Sequence, residues 1–445
     1  MKAGTQCIRM EITPNPSFID EEVRIRVHGL APRQPLILRA TTEDDLRRRW
    51  CTEAEFRADE SGCVDPCILA PKGGAYRGIS AMGIFWSMRL AKEGAANGSA
   101  AFAKNNPQPN FVSIEAESGG RILCSAKLER RLLASGTETR DLKIDDSAEG
   151  FSGRLFMPPI KGAARPPVII VLSGSGGGFD LDKAAVLSRH GFATLALAYF
   201  GIPPLPPWLH RIPLEYFEAA MAWLAAQPEI DCRRLGVLGV SRGAELALLL
   251  AATFPQIRCV AAFAPSHVAW AAGGREKESG EVIPVWTYRG KPIPFAPLPL
   301  RGFMWRSAFP VVALRRPVIF RNLFRAGMRN REALREAAIP VERMHGPVLL
   351  VSGGDDHVWP ADRMSEAIVA RLRENHFPHA VEHLHYPRAG HMLRYPFLPT
   401  TARNSRNAHL RNARFSFGGT AAADARAQAE SWPRTIAFFR ESFRE

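Results

Sequence analysis

The chain has 445 residues, 46% apolar and 23% Asp, Glu, Lys or Arg; this excludes a largely disordered or fibrous protein and suggests two domains. Its net charge is +14, from 58 Lys and Arg against 44 Asp and Glu, which points to an anionic partner: nucleic acid, a membrane surface or a phosphorylated small molecule. No apolar run near Met1 is long enough for a signal peptide, and Leu246–Ala252 is far too short to span a bilayer. The seven Cys are odd in number and scattered, with only Cys63 and Cys67 close together, so free thiols and a cytoplasmic location are expected.

Up to about residue 135 the pattern is short, alternating and β-rich. Glu22–Val27 alternates polar and apolar residues as a half-buried strand does, Leu36–Ala40 reads as a second strand, and turns are expected at Gly29–Pro32, Asp59–Gly62 and Lys72–Gly74. Strands at this spacing suggest a small antiparallel sandwich. From about residue 150 the chain alternates strand, loop and helix. Pro167–Leu172, Ala193–Ala198, Leu235–Val240, Cys259–Phe263 and Pro347–Val351 are continuous apolar runs of the type buried on both faces of a parallel sheet. Leu214–Ala226 places Leu214, Phe217, Met221 and Leu224 at helical spacing, with Pro213 at its start and Pro228 beyond its end. The second domain is therefore expected to be α/β, a mostly parallel sheet covered by helices on both faces.

Gly239-Val240-Ser241-Arg242-Gly243 is a G-x-S-x-G sequence between the strand Leu235–Val240 and a helix expected over Ala244–Thr253. Such a turn lifts the serine hydroxyl above the sheet, and the helix N-terminus behind it favours developing negative charge. An acid and then a histidine must follow in this fold. The acid belongs on the loop after Val348–Val351, where Asp355 and Asp356 compete. Asp356 has the spacing to Trp359-Pro360 common among hydrolase acids, whereas Asp355 suits a role in holding the turn.

The base belongs on the loop after the last strand. His383 and His385 share one strand face and read as packed or solvated. His379 and His383 have helical metal-ligand spacing on a segment that reads as loop and strand, so no metal is expected. His391, on a turn after Gly390, is the candidate base. The expected triad is Ser241, Asp356 and His391, with His391 taking the serine proton and Asp356 fixing its tautomer. The expected oxyanion donors are the Arg242 N–H and, from the glycine-rich loop Ser173–Gly178, the Ser175 N–H. Phe179 stands where a dinucleotide fingerprint needs its third glycine, and no Lys-Ser/Thr ending follows, so no nucleotide cofactor is expected.

On Val27–Pro32, Ala58–Asp65, Ala70-Pro71 and Met82–Met88 in the first half, and on Gly174–Gly178, Leu197–Phe200, Leu214–Ala220, Gly239–Glu245, Tyr386–His391 and Ala425–Trp432 in the second, the sequence resembles the acyl-CoA thioesterase / bile-acid-CoA:amino-acid N-acyltransferase family over nearly its whole length. The resemblance implies an N-terminal immunoglobulin-like β-sandwich (1–135) and an α/β-hydrolase domain (136–445) with a basic lid insertion at about 270–340. It also implies acyl-CoA thioesters as substrates, no cofactor, and Ser241, Asp356 and His391 in the roles above. Amino-acid-conjugating members carry Cys at the elbow and hydrolysing members mainly Ser, so Ser241 implies hydrolysis to free acid and CoA. Acyl transfer to an amino acid, or hydrolysis of carboxylesters or lactones, are the alternatives. The sequence departs from the family at Asp424, where a His is usual, and over Phe303–Met328, which is longer and more basic than the usual lid.

The charge is concentrated. Trp286–Arg331 holds ten bases, among them Arg315, Arg316, Arg321 and Arg325, and no acid; Arg388–Arg426 holds seven Arg against Asp424, and the rest of the chain is near neutral. Three readings compete: a solvated basic face on a lid whose apolar side packs down, a CoA site in which Arg315, Arg316, Arg321 and Arg325 pair with phosphates, and an interfacial lid resting on anionic lipid. No recognised nucleic-acid module accompanies the charge, so nucleic acid is not expected; acyl-CoA is the partner that the resemblance implies, with a peripheral membrane contact through the lid compatible with it. No sequence feature sets the oligomeric state.

Overall fold

The structure is a computed structural model that describes residues 7–91, 101–143, 150–159, 164–274, 276, 279–303, 316–407 and 413–444. The chain divides into two units: Met1–Leu133 with Tyr395–Arg406 and Thr420–Ala429, and Ala134–Arg394 with Asn407–Gly419 and Glu430–Glu445.

In the first unit β1 (Arg9–Thr13) pairs antiparallel with β3 (Arg24–His28). A second sheet runs in the order β2 (Ser17–Phe18), β9 (Arg121–Arg131), β8 (Asn110–Ser118), β4 (Pro35–Glu43), β5 (Arg49–Arg57) and β6 (Gly73–Gly74), with β7 (Arg89–Leu90) also on β5. Period-two alternation accounts for the buried faces: Leu36, Leu38 and Ala40 on β4, Trp50, Ala54 and Phe56 on β5, and Ile25 and Val27 on β3. The expected strand Glu22–Val27 begins at Arg24, although Val23 is already buried. At the turn after β5, Asp59 Oδ1 accepts the N–H groups of Ser61 and Cys63, both at 2.9 Å. Gly62 there has φ +72°, and a Cβ on it would stand 2.0 Å from the Leu30 carbonyl oxygen.

The pattern drew one boundary at 135/136, whereas two late segments pack with the first unit. Thr400 N–H donates to the carbonyl of Trp86, the last residue of α1 (Gly83–Trp86), at 3.0 Å, and Thr401 Oγ1 to Met88 O at 2.5 Å. Asp424 is buried and ion-paired with Arg403.

The second unit is built on an eight-stranded sheet in the order β10 (Glu138–Leu142), β11 (Ser152–Met157), β13 (Ala193–Ala198), β12 (Pro167–Leu172), β15 (Asp231–Val240), β16 (Ile257–Phe263), β19 (Val348–Gly353) and β20 (Val381–Tyr386). β11 is antiparallel to both neighbours, and every pairing from β13 to β20 is parallel. The sheet is therefore mixed, with an α/β-hydrolase strand order. Every residue of β13 and β19 is buried, which is why these runs lack alternation. The helices α2 (Leu181–Ser188), α3 (Glu215–Ala225) and α4 (Arg242–Thr253) connect strands of this sheet. On α3 the buried residues include Phe217, Met221 and Leu224, as the helical spacing predicts, while α4 is buried all round from Arg242 to Ala251. Each such Leu, Ile or Val contributes roughly 1.5–3 kcal/mol. Because β12, β15, β19 and β20 are parallel, the loops at their C-terminal ends emerge on one edge of the sheet, where ligand sites of such folds form.

Between β16 and β19, β17 (Trp286–Tyr288) pairs antiparallel with β18 (Lys291–Pro292) and parallel with β14 (Ile212–Pro213). Short helices at Arg321–Gly327 and Arg331–Glu336 follow. The apolar side of this region packs inward: Phe303, Val318 and Leu323 cluster, and Phe324 lies edge-on to Trp270 at 5.1 Å and to Trp359 at 5.4 Å. Arg289, Lys291, Arg301, Arg316, Arg325, Arg329 and Arg331 face solvent. Among the described residues no helix is long and apolar enough to cross a membrane.

His267, just after β16, has no hydrogen-bond partner for Nδ1 among the described residues, and burial pushes its pKa from 6.5 down to about 4. The unfolded chain thus takes up a proton that the folded chain refuses. Stability present above pH 6.5 declines as pH falls toward 4, by up to about 3 kcal/mol. His267→Gln is expected to flatten this decline, read from urea midpoints at pH about 7 and about 4.5; an unchanged difference would refute the assignment.

Candidate active site

Ser241 caps α4 at φ +56°, ψ −119°. For a residue with a Cβ this conformation costs on the order of 1–3 kcal/mol and persists only where its surroundings enforce it. Ser241 N–H donates to Phe263 O at 2.8 Å, and its carbonyl accepts the N–H groups of Ala244 and Glu245 at 2.9 and 3.0 Å. The two glycines of the motif let backbones touch: a Cβ on Gly239 would stand 2.0 Å from Gly243 O, and one on Gly243 would stand 2.4 Å from Ser173 O.

The glycine-rich loop lies against this elbow, since a Cβ on Gly174 would be 3.1 Å from Val240 O and 3.4 Å from Ser241 Cβ. It is braced by Gly177 N–H to Gly174 O (3.2 Å), Ser173 Oγ to Gly178 O (2.9 Å), Tyr199 OH to Ser173 O (2.5 Å) and Gly178 N–H to Phe200 O (2.9 Å). Ser175 occupies the second position of the Gly174–Gly177 turn. The Arg242 N–H is the first of α4, a position whose amide has no intrahelical acceptor.

Asp356 is 1% exposed, and its Oδ2 lies 2.7 Å from His391 Nδ1. Its Oδ1 accepts the N–H groups of Val358 and Trp359 at 2.7 and 3.2 Å. A carboxylate oxygen only accepts, so Nδ1 carries the proton and Nε2 is left as the basic nitrogen of His391. Asp355 is engaged elsewhere: Oδ1 is 3.1 Å from His357 Nε2, and Oδ2 accepts Gly419 N–H at 2.9 Å. His383 Nε2 meets Ser352 Oγ at 2.7 Å, with its ring stacked on His385. Acid loop, base loop and the strand at Ala413–Ser416 close on one another through glycines. A Cβ on Gly353 would be 2.4 Å from Gly390 O, one on Gly390 would be 2.5 Å from Gly418 O, and one on Gly418 would be 1.8 Å from Asp355 O.

Trp359 joins the elbow to this pair. Its ring is edge-on to His391 at 6.3 Å, and the Arg242 guanidinium lies 5.8 Å above it. Arg242 Nη1 also lies 3.0 Å from Glu245 Oε2 and donates to Trp270 O at 3.1 Å, while Nη2 donates to Ala271 O at 2.9 Å. Glu245 is fully buried and accepts Trp286 Nε1–H at 2.8 Å. Burial raises its pKa, opposed by Arg242 and the Trp286 N–H. Sequence reasoning missed the Arg242 side chain, Glu245 and Trp359. The available signal was one acid on an otherwise apolar helix, which needs a buried cation.

Of the four arginines expected at substrate phosphates, Arg315 lies outside the described residues, and Arg316 and Arg325 are exposed. Arg321 is partly buried, with Nη1 3.4 Å from Gly354 O and 3.7 Å from Asp355 Oδ1. Its N–H donates to His357 O at 2.9 Å, which sets the basic segment beside the acid loop. Among the described residues no group of three or more His, Cys, Asp or Glu is arranged to hold a metal.

Residues 212–445 match the family described as "BAAT / Acyl-CoA thioester hydrolase C terminal", and residues 20–144 match "Acyl-CoA thioester hydrolase/BAAT N-terminal region". Acyl-coenzyme A thioesterase 1 of Mus musculus is 31% identical over 429 residues, covering 94% of this chain and 93% of its own. Acyl-coenzyme A thioesterase 1 of Homo sapiens is 30% identical over 425 residues, with the same coverage of 94% and 93%. Peroxisomal succinyl-coenzyme A thioesterase of Mus musculus is 29% identical over 433 residues, again covering 94% and 93%. With an elbow serine, a buried Asp–His pair and whole-length similarity of this kind, the chain belongs to the acyl-CoA thioester hydrolase/BAAT family.

Proposed function

We propose that this protein is an acyl-CoA thioesterase, hydrolysing acyl-CoA to a free carboxylic acid and CoA through Ser241, His391 and Asp356. The observation that carries the triad is the buried Asp356–His391 bond of 2.7 Å, linked through Trp359 and Arg242 to a serine held at φ +56°. His391 Nε2 takes the Ser241 proton as Oγ attacks the thioester carbonyl, and the electron pair moves to oxygen, where the Arg242 and Ser175 N–H groups receive it. The C–S bond then breaks, and the CoA sulfur leaves with the proton from His391. Water attacks the acyl-serine ester while His391 accepts its proton, and collapse returns that proton to Ser241 Oγ and releases the acid. Asp356 holds the imidazole tautomer throughout. A serine ester is less reactive toward amines than a thioester, which favours water as acceptor.

The rest of the reading follows the same logic. The two sheets of the first unit, with alternating buried faces, support an immunoglobulin-like β-sandwich there, with the second unit as the catalytic domain. The exposed Arg316 and Arg325, with Arg315 and Arg321, are proposed to meet CoA phosphates, and the same face to touch anionic lipid. A cytoplasmic location is part of the proposal, although relatives are named for the peroxisome and the mitochondrion.

Ser241→Ala is expected to abolish thiol release from acyl-CoA and labelling by a fluorophosphonate; full activity would end the proposal. Asp356→Asn is expected to lower kcat by about 10³- to 10⁴-fold through the wrong imidazole tautomer, with Asp355→Asn leaving kcat within a few-fold. Amide formed with glycine or taurine faster than free acid would identify an acyltransferase instead, and faster turnover of simple esters without inhibition by CoA an ester hydrolase. Neutralising Arg316 and Arg325 is expected to raise KM for acyl-CoA more than for an uncharged thioester. An equal effect on both substrates would return the charge to a solvated face.

A further inference from the structure

In the mechanism above Arg242 acts only through its backbone N–H. Its side chain is nonetheless among the most constrained cations of the second unit, with the residue 8% exposed beside a fully buried Glu245. A buried ion pair is weak evidence of stabilisation, because desolvation commonly offsets the Coulomb attraction and an apolar pair of equal volume packs as well. The connections of this pair go beyond packing. The guanidinium fork reaches Glu245 on α4, the carbonyls of Trp270 and Ala271 beyond β16, and the face of Trp359 beyond β19. Trp359 is fixed in turn: Nε1–H donates to Ala264 O at 3.0 Å, its backbone N–H bonds Asp356 Oδ1, and its ring abuts His391. Both terminal nitrogens of Arg242 donate to acceptors within the protein. The peptide joining Ser241 to Arg242 leaves a residue at φ +56°, a conformation that needs an external hold.

We propose that Arg242 is a positioning residue whose side chain, clamped by Glu245, the Trp270 and Ala271 carbonyls and Trp359, aims the Ser241–Arg242 N–H at the reacting carbonyl oxygen and keeps Trp359 against His391. The inference rests on the serine-hydrolase reading of the site. Lysine keeps the charge but lacks the planar fork, so it cannot serve Glu245 and both carbonyls together. Loss of the clamp shifts a group that must be placed to a fraction of an ångström, and a misplacement of about 1 Å costs about 10²-fold in rate.

The test compares wild type, Arg242→Ala and Arg242→Lys, with rates expressed per competent site counted by the endpoint of fluorophosphonate labelling. Arg242→Ala is expected to lower kcat for acyl-CoA about 100-fold with KM changed less than about 3-fold, and to slow labelling of Ser241 in parallel. Guanidinium chloride at millimolar, non-denaturing concentration is expected to restore at least about 10-fold of that loss, since it refills the space between Glu245 and Trp359. Arg242→Lys is expected to fall about 10-fold in kcat and to gain nothing from guanidinium. If the Ala variant does not fold, the Lys variant decides. Wild-type kcat and labelling rate per competent site, with only a lowered Tm, would overturn the proposal and leave Arg242 as structural support. Should the wild type release no thiol from any acyl-CoA, the thioesterase reading fails, while the labelling rates still decide the role of Arg242.

Discussion

Strand β15 and helix α4 touch through backbone atoms, and the arrangement of the site follows from that approach. Because Gly239 and Gly243 carry no Cβ, the chain reverses within Val240–Arg242, and the price in conformational strain falls on Ser241. Gly243 also lets the Ser173 carbonyl approach α4, so the glycine-rich loop and the elbow form one packed object. A methyl group at either position would move Ser241 and the glycine-rich loop together. Glycine spacing in this motif is therefore a statement about distance, with flexibility incidental to it.

The second dependence is electrostatic. Asp356 and Glu245 are both withdrawn from solvent, and each is matched to its own partners: His391 with two backbone N–H groups for one, Arg242 with an indole N–H for the other. Removing charge from water is costly unless every lone pair finds a donor. The two carboxylate systems meet at Trp359, whose ring separates a guanidinium from an imidazole. An aromatic face attracts the cation. Asp355, one residue away from Asp356, serves the loop itself through His357 and Gly419.

Much of the catalytic sheet was legible because its strands are buried on both faces. Val168–Leu172 and Val348–Val351 carry uninterrupted apolar runs that a half-exposed strand would not tolerate. The loops that carry Ser241, Asp356 and His391 were legible because parallel strands put their C-terminal loops on one edge of the sheet. The start of β3 was misjudged by two residues, since pairing with β1, rather than burial of Val23, decides where the strand begins. The Arg242–Glu245–Trp286 network was not legible, because it joins residues up to 41 positions apart and has no periodicity. The bond from Arg321 to Gly354 O was hidden likewise, since it joins residues 33 positions apart.

The return of Tyr395–Arg406 and Thr420–Ala429 to the first unit reorders assembly in time. Synthesis proceeds from the N-terminus at roughly 5–20 residues per second. The strands of Met1–Leu133 leave the ribosome early, yet the Trp86 and Met88 carbonyls receive Thr400 and Thr401, which lie 314 and 313 positions further along the chain. The unit begun first thus waits for its last segments until every strand of the intervening α/β sheet has been made. Neither unit corresponds to one uninterrupted stretch of the chain, so no single cut separates one whole unit from the other.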